Sequence, residues 1–299
     1  LCSCLIIGMT ATASSSPKLR VDTRGTNELP PHLDENLLTP RFYVTEFKKA
    51  AKTELTDARE EFEAMLSEMK ADYNCTHFDR KASLDRLQEL PQKAKETYES
   101  YLVRSVISEF SGFLLFKEIS NRLKKEGNRD LGKLFQFLAR DEARHAGFLS
   151  RALVAEGIEV DLPHLGGKRA ATWFPISWVI YSVYLSEKIG YWRYILMDRH
   201  LKANPDQAFA PLFDFFEPWC QDENRHGDCF TVMMRCWPGI TKGFRGKLLS
   251  RFFLWSVFLT HTLTVCERGE FYELLGIDPK EFDEEVIKRT NHTSKNAFP

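Results

Sequence analysis

The string Asp-Glu-x-Arg-His occurs twice in this chain of 299 residues, as "DEARH" at 141–145 and "DENRH" at 222–226. At roughly 5% per residue type, one such four-position match arises by accident in about two chains per thousand of this length, and a second is far rarer. The likeness extends upstream. "SEFSG" (108–112) precedes the first copy and "SEKIG" (186–190) precedes the second, so a Ser-Glu-x-x-Gly and an Asp-Glu-x-Arg-His recur in the same order. Glu109 and Glu142 are 33 residues apart, and Glu187 and Glu223 are 36 apart.

Those spacings suit helical hairpins. A helix that follows Pro91 and runs to Lys125 is stopped by Gly127-Asn128, and a return helix runs from Asp130 to Glu156 before Gly157. From Glu109 to the turn is about 16 residues, or ~24 Å, and the return leg needs ~19 Å to bring Glu142 alongside. The second hairpin runs from Pro175 to Lys202, is broken at Asn204-Pro205, and returns from Pro211 to Cys236, with an expected kink at Pro218. A further long helix is expected over about 41–73, a sixth over 242–268 and a short one over 279–290. Sustained period-2 alternation is missing, so the fold class is all-α. The expected architecture is a ferritin-like four-helix bundle built from two hairpins, with additional N- and C-terminal helices, in a single domain over 41–299. Residues 1–40 read as an irregular leader. "LCSCLIIGMTATASSSPKLRV" has no acidic residue before Asp22 and is compatible with the tail of an organelle transit peptide or with the ragged start of a fragment.

Glu and His three residues apart share a helix face. Glu142 with His145 and Glu223 with His226, joined by Glu109 and Glu187, give four carboxylates and two imidazoles pointing into one bundle. Four bare carboxylates in a core are prohibitively costly, and two divalent cations remove that cost. One Glu from each of two helices plus Glu-x-x-His from each of the others is the di-iron donor set of ferritin-like bundles. Iron accepts both donor types, whereas zinc favours fewer carboxylates, and manganese stays open. Asp141 and Asp222 are expected to accept the outward N–H of a donor histidine on the partner helix, with Arg144 and Arg225 beside them. Gly112 and Gly190, each three residues beyond a donor Glu, leave room either for dioxygen or substrate or for close helix contact.

The formal net charge is −1, so no nucleic-acid footprint is expected. Seven cysteines with no Cys-x-x-Cys pair read as free thiols in a reducing compartment. The apolar run Phe252–Val265 follows Lys242, Arg245, Lys247 and Arg251. It is too short to cross a bilayer and reads as a buried core helix, with a helix lying on a membrane surface as the alternative.

The donor set alone leaves storage, peroxide reduction, desaturation and oxygenation open. The strings "TPRFYVTEF", "EFSGFLLFKE", "LARDEARHAGFL", "YLSEKIGYWRYI" and "WCQDENRHGDCF" decide among them, because together they resemble the aerobic magnesium-protoporphyrin IX monomethyl ester cyclases over most of 39–298. The resemblance implies a di-iron oxygenase that forms the isocyclic ring of chlorophyll. The methyl propionate arm of the magnesium porphyrin is hydroxylated, oxidised to a ketone and closed onto the macrocycle, giving divinyl protochlorophyllide. It also implies dioxygen, NADPH-derived electrons, plastid thylakoid or envelope membranes with peripheral contact, and room for a small accessory subunit. The family's donors fall on Glu109, Glu142, His145, Glu187, Glu223 and His226. Its members usually start at Met and continue past the position of Pro299. No dinucleotide-binding fingerprint occurs, so a separate ferredoxin or reductase is the expected donor. Tyr191 and Trp192, among the rings around Glu187, are candidate porphyrin contacts, as are Trp173, Trp178, Tyr181, Tyr184 and Tyr194. His164, His200 and His261 are candidate magnesium ligands, with a structural or solvent-facing role expected of each. The rival readings are an acyl-carrier desaturase-like enzyme, separable by substrate, a ferritin-like iron-storage protein, separable by cage assembly, and a metal-free membrane-associated bundle, separable by metal content.

Overall fold

The computed structural model describes residues 21–23, 38–52, 58–76, 84, 90–163, 171–236 and 238–298. Two hairpins form its centre. Helix α3 (Gln92–Lys125) turns through Gly127, at φ 93°, into α4 (Arg129–Ala155). A side chain there would strain the backbone, which is why glycine stands at this turn. Asn128 caps α4 through its side-chain oxygen, which accepts from the Leu131 amide at 3.4 Å. Helix α5 (Ile176–Ala203) returns as α6 (Phe216–Cys236). Phe116, Phe135 and Phe230, with centroids 5.9–6.1 Å apart, tie α3, α4 and α6 into one core.

Around the hairpins lie the short α1 (Phe47–Ala50), α2 (Arg59–Ala71), α7 (Pro238–Thr241), α8 (Gly243–Glu267), α9 (Gly269–Leu274) and α10 (Pro279–Ser294). Asp278 and Pro279 start α10 as cap and first-turn proline, with Asp278 accepting from the Glu281 amide at 2.8 Å. Strand β1 (Val21–Thr23) pairs antiparallel with β3 (Ile158–Val160), and β2 (Tyr43–Thr45) pairs parallel with β4 (Thr172–Phe174).

Three expectations about the elements are corrected. The helix over 41–73 is interrupted, since Tyr43-Val44-Thr45 is aromatic and β-branched and finds a strand partner, leaving α2 to begin only at Arg59. Pro218 makes no mid-helix kink. Pro211–Phe215 is a 3-10 turn and Pro218 sits in the first turn of α6, where its missing N–H has no bond to lose. The leader is not wholly irregular, because Val21–Thr23 is a strand; the rest of 1–37, Cys2, Cys4 and His164 lie outside the described residues.

The apolar run is also placed otherwise than expected. Along α8, Phe244, Leu248, Phe252, Trp255 and Leu259 form an exposed stripe, with Phe244 84% and Trp255 66% accessible. Helix α8 is long and apolar enough to cross a membrane by length and composition, and a third of its apolar window is buried in the protein. Its inner face, with Phe253 and Val257, packs on the bundle: Phe253 stacks on Tyr181 at 5.1 Å.

Candidate metal centre

The four central helices bring the six donor side chains to one level. Glu109, His145 and Glu223 form one buried triad, Glu142, Glu187 and His226 another, with donor atoms within 4.8 Å of one another in each. The triads cross the hairpins. The Glu of each Glu-x-x-His stands with the histidine of the other hairpin, so Glu142 and Glu223 are shared between two halves of the repeat. Nδ1 of His226 lies 3.3 Å from both Glu142 and Glu187, and Nδ1 of His145 lies 3.3 Å from Glu109 and 3.8 Å from Glu223.

The two aspartates stand behind the histidines, each on the partner helix. Oδ2 of Asp222 lies 3.1 Å from Nε2 of His145, and Oδ2 of Asp141 lies 3.6 Å from Nε2 of His226. An aspartate accepting at Nε2 leaves the Nδ1 lone pair turned to the carboxylates, the tautomer a metal donor needs. Arg225 bonds to Asp222. Arg144 instead forks onto Asp72 at 2.9–3.1 Å and lies 3.4 Å from Asp141. Asp72, at φ 53°, ends α2 in the left-handed region.

Sequence reasoning passed over several supports. Asn74 donates to Asp222 at 2.6 Å and to the Pro218 carbonyl at 3.0 Å. Arg140 donates to Asp141 at 2.8 Å and to the Met69 carbonyl at 3.0 Å. Trp219 donates to Oε1 of Glu223 at 2.9 Å, and Tyr194 stacks on Trp219 at 4.6 Å. Trp219 sits one helical turn before Glu223, so an i,i+4 scan finds it. The others are contacts across the fold and leave no local signal.

The donor chemistry fits two cations. Both carboxylate oxygens of Glu187 and both ring nitrogens of His226 are buried without a hydrogen-bond partner, a costly state that a bound cation relieves. Burial, with Glu109 and Glu187 close by, pushes Glu142 up to about 8. Burial and the other three glutamates push Glu223 well up. Burial opposes a charge on either histidine, yet their carboxylate partners hold both well above the usual imidazole range. Burial also opposes Asp222, but His145 and Arg225 hold it low.

These shifts have a sign in solution. Glu142, Glu223, His145 and His226 hold more protons in the folded metal-free chain than in the unfolded one, so stability fully present below the unfolded values, 4.5 for the acids and 6.5 for the imidazoles, is lost as pH rises, for Glu142 through about 8. Chelator-stripped protein should therefore melt at progressively lower temperature from pH 6 to 8.5, and iron-loaded protein should not. Calorimetry of both forms checks this, and parallel pH profiles would contradict it.

A half-open cleft of about 850 Å³, its mouth included, adjoins the donors, and Glu109, Glu142, Glu187 and Glu223 form part of its wall. Gly190 lines it too, but not as empty space: a Cβ there would lie 2.7 Å from Oε2 of Glu223, so the bare Cα admits that carboxylate. Gly112 is buried on α3 and is not in the cleft wall. Tyr191 and Trp192 are also elsewhere. Trp192 donates to Thr293 at 3.0 Å and lies under Arg289, holding α10 against α5, and Tyr191 packs on Trp192. Of the aromatic candidates, Tyr194 lines the cleft, while Tyr181 and Tyr184 pack on Phe298, Trp178 packs on Phe253, and Trp173 is exposed. His200 bonds to Gln207 and the Leu275 carbonyl. His261 lines the cleft, with Nδ1 2.7 Å from Asp283 and Nε2 buried without a partner.

Among the described residues no cysteine forms a disulfide; Cys220, Cys229 and Cys236 are buried, Cys75 and Cys266 exposed. Burial pushes Cys220 and Cys229 up to about 12, so both are unreactive thiols.

Comparison with known proteins agrees with this geometry. The rubrerythrin family matches residues 100–234, the span of the two hairpins. A magnesium-protoporphyrin IX monomethyl ester (oxidative) cyclase of Prochlorococcus marinus is 77% identical over 291 residues, covering 97% of this chain and 83% of the relative. A cyclase 2 of that name from Thermosynechococcus vestitus is 54% identical over 265 residues, covering 88% and 75%. A cyclase 1 from a Nostoc species is 52% identical over 268 residues, covering 89% and 76%. No solved structure matches the chain. These relatives come from cyanobacteria, which implies a photosynthetic source. Identity this high, over a helical bundle whose two Glu-His triads suit a di-iron centre, places the chain in the magnesium-protoporphyrin IX monomethyl ester oxidative cyclase family, as an oxidative enzyme of ferritin-like fold.

Proposed function

We propose that the protein converts magnesium-protoporphyrin IX 13-monomethyl ester to divinyl protochlorophyllide, using dioxygen and NADPH-derived electrons delivered by a separate ferredoxin or reductase. The observation that carries this reading is the cleft that opens onto both donor triads, in a chain whose relatives bear the cyclase name. Two iron ions held by Glu109, His145 and Glu223 and by Glu142, Glu187 and His226 would supply dioxygen reduction and the oxidising power for C–H cleavage.

The chain's own residues do the rest. Asp222 keeps His145 in the donor tautomer, and Asp141 stands 3.6 Å behind Nε2 of His226 as its negative neighbour. Trp219 fixes one oxygen of Glu223, and Gly190 makes room for the other. Leu38, Pro40, Ile189 and Val257 supply the apolar patches of a lining that is otherwise polar. Of the two candidate histidines among the described residues, His261 lines the cleft and His200 does not, which supports a metalloporphyrin ligand there. Iron-loaded protein, given the magnesium porphyrin ester, dioxygen and a reductant, should shift the pigment spectrum to that of the isocyclic product. An unchanged spectrum with intact iron would remove the assignment.

The membrane contact follows from α8. Its exposed stripe is flanked by exposed Lys242, Arg245, Lys247 and Arg251, a combination suited to an anionic lipid surface. We assign this face to a photosynthetic membrane; the cyanobacterial relatives support that setting, while the plastid reading rests on residues 1–21 of the sequence. A Phe244→Glu, Trp255→Glu double variant should lower the fraction floating with anionic vesicles by roughly tenfold or more. Wild-type protein that stays below the vesicles would overturn this contact. A small accessory subunit is a proposed further partner, with the cleft and α8 already accounted for by substrate and membrane.

A further inference from the structure

The cleft that carries the acid cluster also carries arginines. Arg193 on α5, Arg268 just beyond α8 and Arg104 on α3 all line it. Arg104 is neutralised by an ion pair with Glu267. The other two are not. The Arg193 guanidinium lies 5.0 Å from the centre of the Tyr194 ring and donates to its hydroxyl at 3.4 Å. The Arg268 guanidinium lies 5.7 Å from the centre of the Tyr101 ring. Among the described residues, neither makes an ion pair, and Nε of each is buried without a hydrogen-bond partner. Burial together with repulsion from Arg193 lowers the basicity of Arg268, while Tyr194, Tyr272, Tyr101 and Glu223 outweigh burial at Arg193 and raise its own.

Two unpaired guanidinium groups beside one cleft are a destabilising arrangement unless an anion joins them. A planar fork of donors matches a carboxylate better than any other small anion borne by an organic ligand. The proposed substrate has one such group. Its name specifies a monoester, so of the two propionate arms of the porphyrin one is a neutral methyl ester and the other a free carboxylate.

We infer that Arg193 and Arg268 form a carboxylate-binding subsite that takes the free propionate of the tetrapyrrole and thereby delivers the esterified arm to the metal centre. The inference rests on the cyclase reading above. The arginines sort the arms. The free carboxylate is drawn to the two guanidinium groups, while the uncharged ester finds no such attraction there and is the arm left to face the metal centre. Arg193 and Arg268 are thus positioning residues that decide which arm reacts.

The test is binding to iron-loaded protein, read by pigment absorbance under anaerobic conditions, with magnesium-protoporphyrin IX monomethyl ester and its dimethyl ester. Wild type should bind the monoester at least tenfold more tightly than the diester. Arg193→Gln and Arg268→Gln should bind the monoester as weakly as the diester, with diester affinity unchanged, and Arg268→Lys should recover part of the preference. Equal binding of both pigments by wild type, or equal loss of both in the variants, would overturn the subsite. Circular dichroism and melting of each variant separate a local loss from misfolding. If neither pigment binds, the cyclase reading itself falls, and sodium propionate decides the subsite alone. Propionate should raise the melting temperature of wild type beyond propionamide at matched ionic strength, and should not do so for Arg268→Gln; the absence of any propionate-specific rise overturns the inference.

Discussion

Glu142→Ala should empty the metal centre rather than half of it. Glu142 belongs by sequence to the first hairpin but stands in the triad of His226 and Glu187, with Glu109 of the other triad close enough to raise its pKa. Removing it takes a donor from one triad and a neighbouring negative charge from the other. We expect bound iron to fall from two per chain to well below one and pigment turnover to fall by on the order of 10²-fold or more. The metal-free chain should become more stable, because a buried acid that burial and its neighbours push up to about 8 is gone. Iron analysis, turnover and melting of the stripped protein measure the three effects. Glu118→Ala, which removes a surface ion pair with Arg122 on the outer side of α3, should change none of them appreciably. A Glu142→Ala protein that still held two irons would show the paired triads to be an accident of packing.

Gly190→Ala should nearly match that loss with a single methyl group. The added carbon would lie 2.7 Å from Oε2 and 3.3 Å from the carboxyl carbon of Glu223. Glu223 cannot easily swing aside, since Trp219 holds its other oxygen at 2.9 Å. The expected result is a drop in iron affinity of roughly 10–100-fold with helical content intact. Gly147→Ala is the matched control, because it also sits inside a helix but a methyl there meets nothing within 4 Å. It should be neutral or stabilising by up to about 1 kcal/mol. Equal iron affinity in the two variants would mean that Gly190 serves only the packing of α5 on α6.

Much of this was legible in the sequence because the informative signals were local. Pro91, Gly127, Gly157 and Pro175 stop or start helices by backbone sterics, and those stops marked the hairpins within a residue or two. The Glu-x-x-His spacing places both side chains on one face of any helix. Tyr43–Thr45 carries no local strand signal strong enough to break the helical pattern, because its strand partner lies 129 residues away. Trp192 neighbours Glu187 in sequence but, five residues on, lies ~140° round the helix from it and meets α10, while Tyr191, one turn from Glu187, packs on Trp192. Arg193 and Arg268 gave no signal among 41 basic residues, since what distinguishes them is the absence of an ion-pair partner among the described residues.

The sequence by itself determined the helices, the two hairpins and the six inward donors, because helix period, turn residues and three-residue spacing act within a few residues of chain. Tertiary structure alone decided that each Glu-x-x-His glutamate crosses to the other hairpin's histidine, that Asn74 and Arg140 brace the aspartates, and that two arginines share the cleft with no carboxylate partner among the described residues. Those outcomes depend on the register in which one hairpin packs on the other. That register is set by the fit of buried faces many residues apart, which no local pattern encodes.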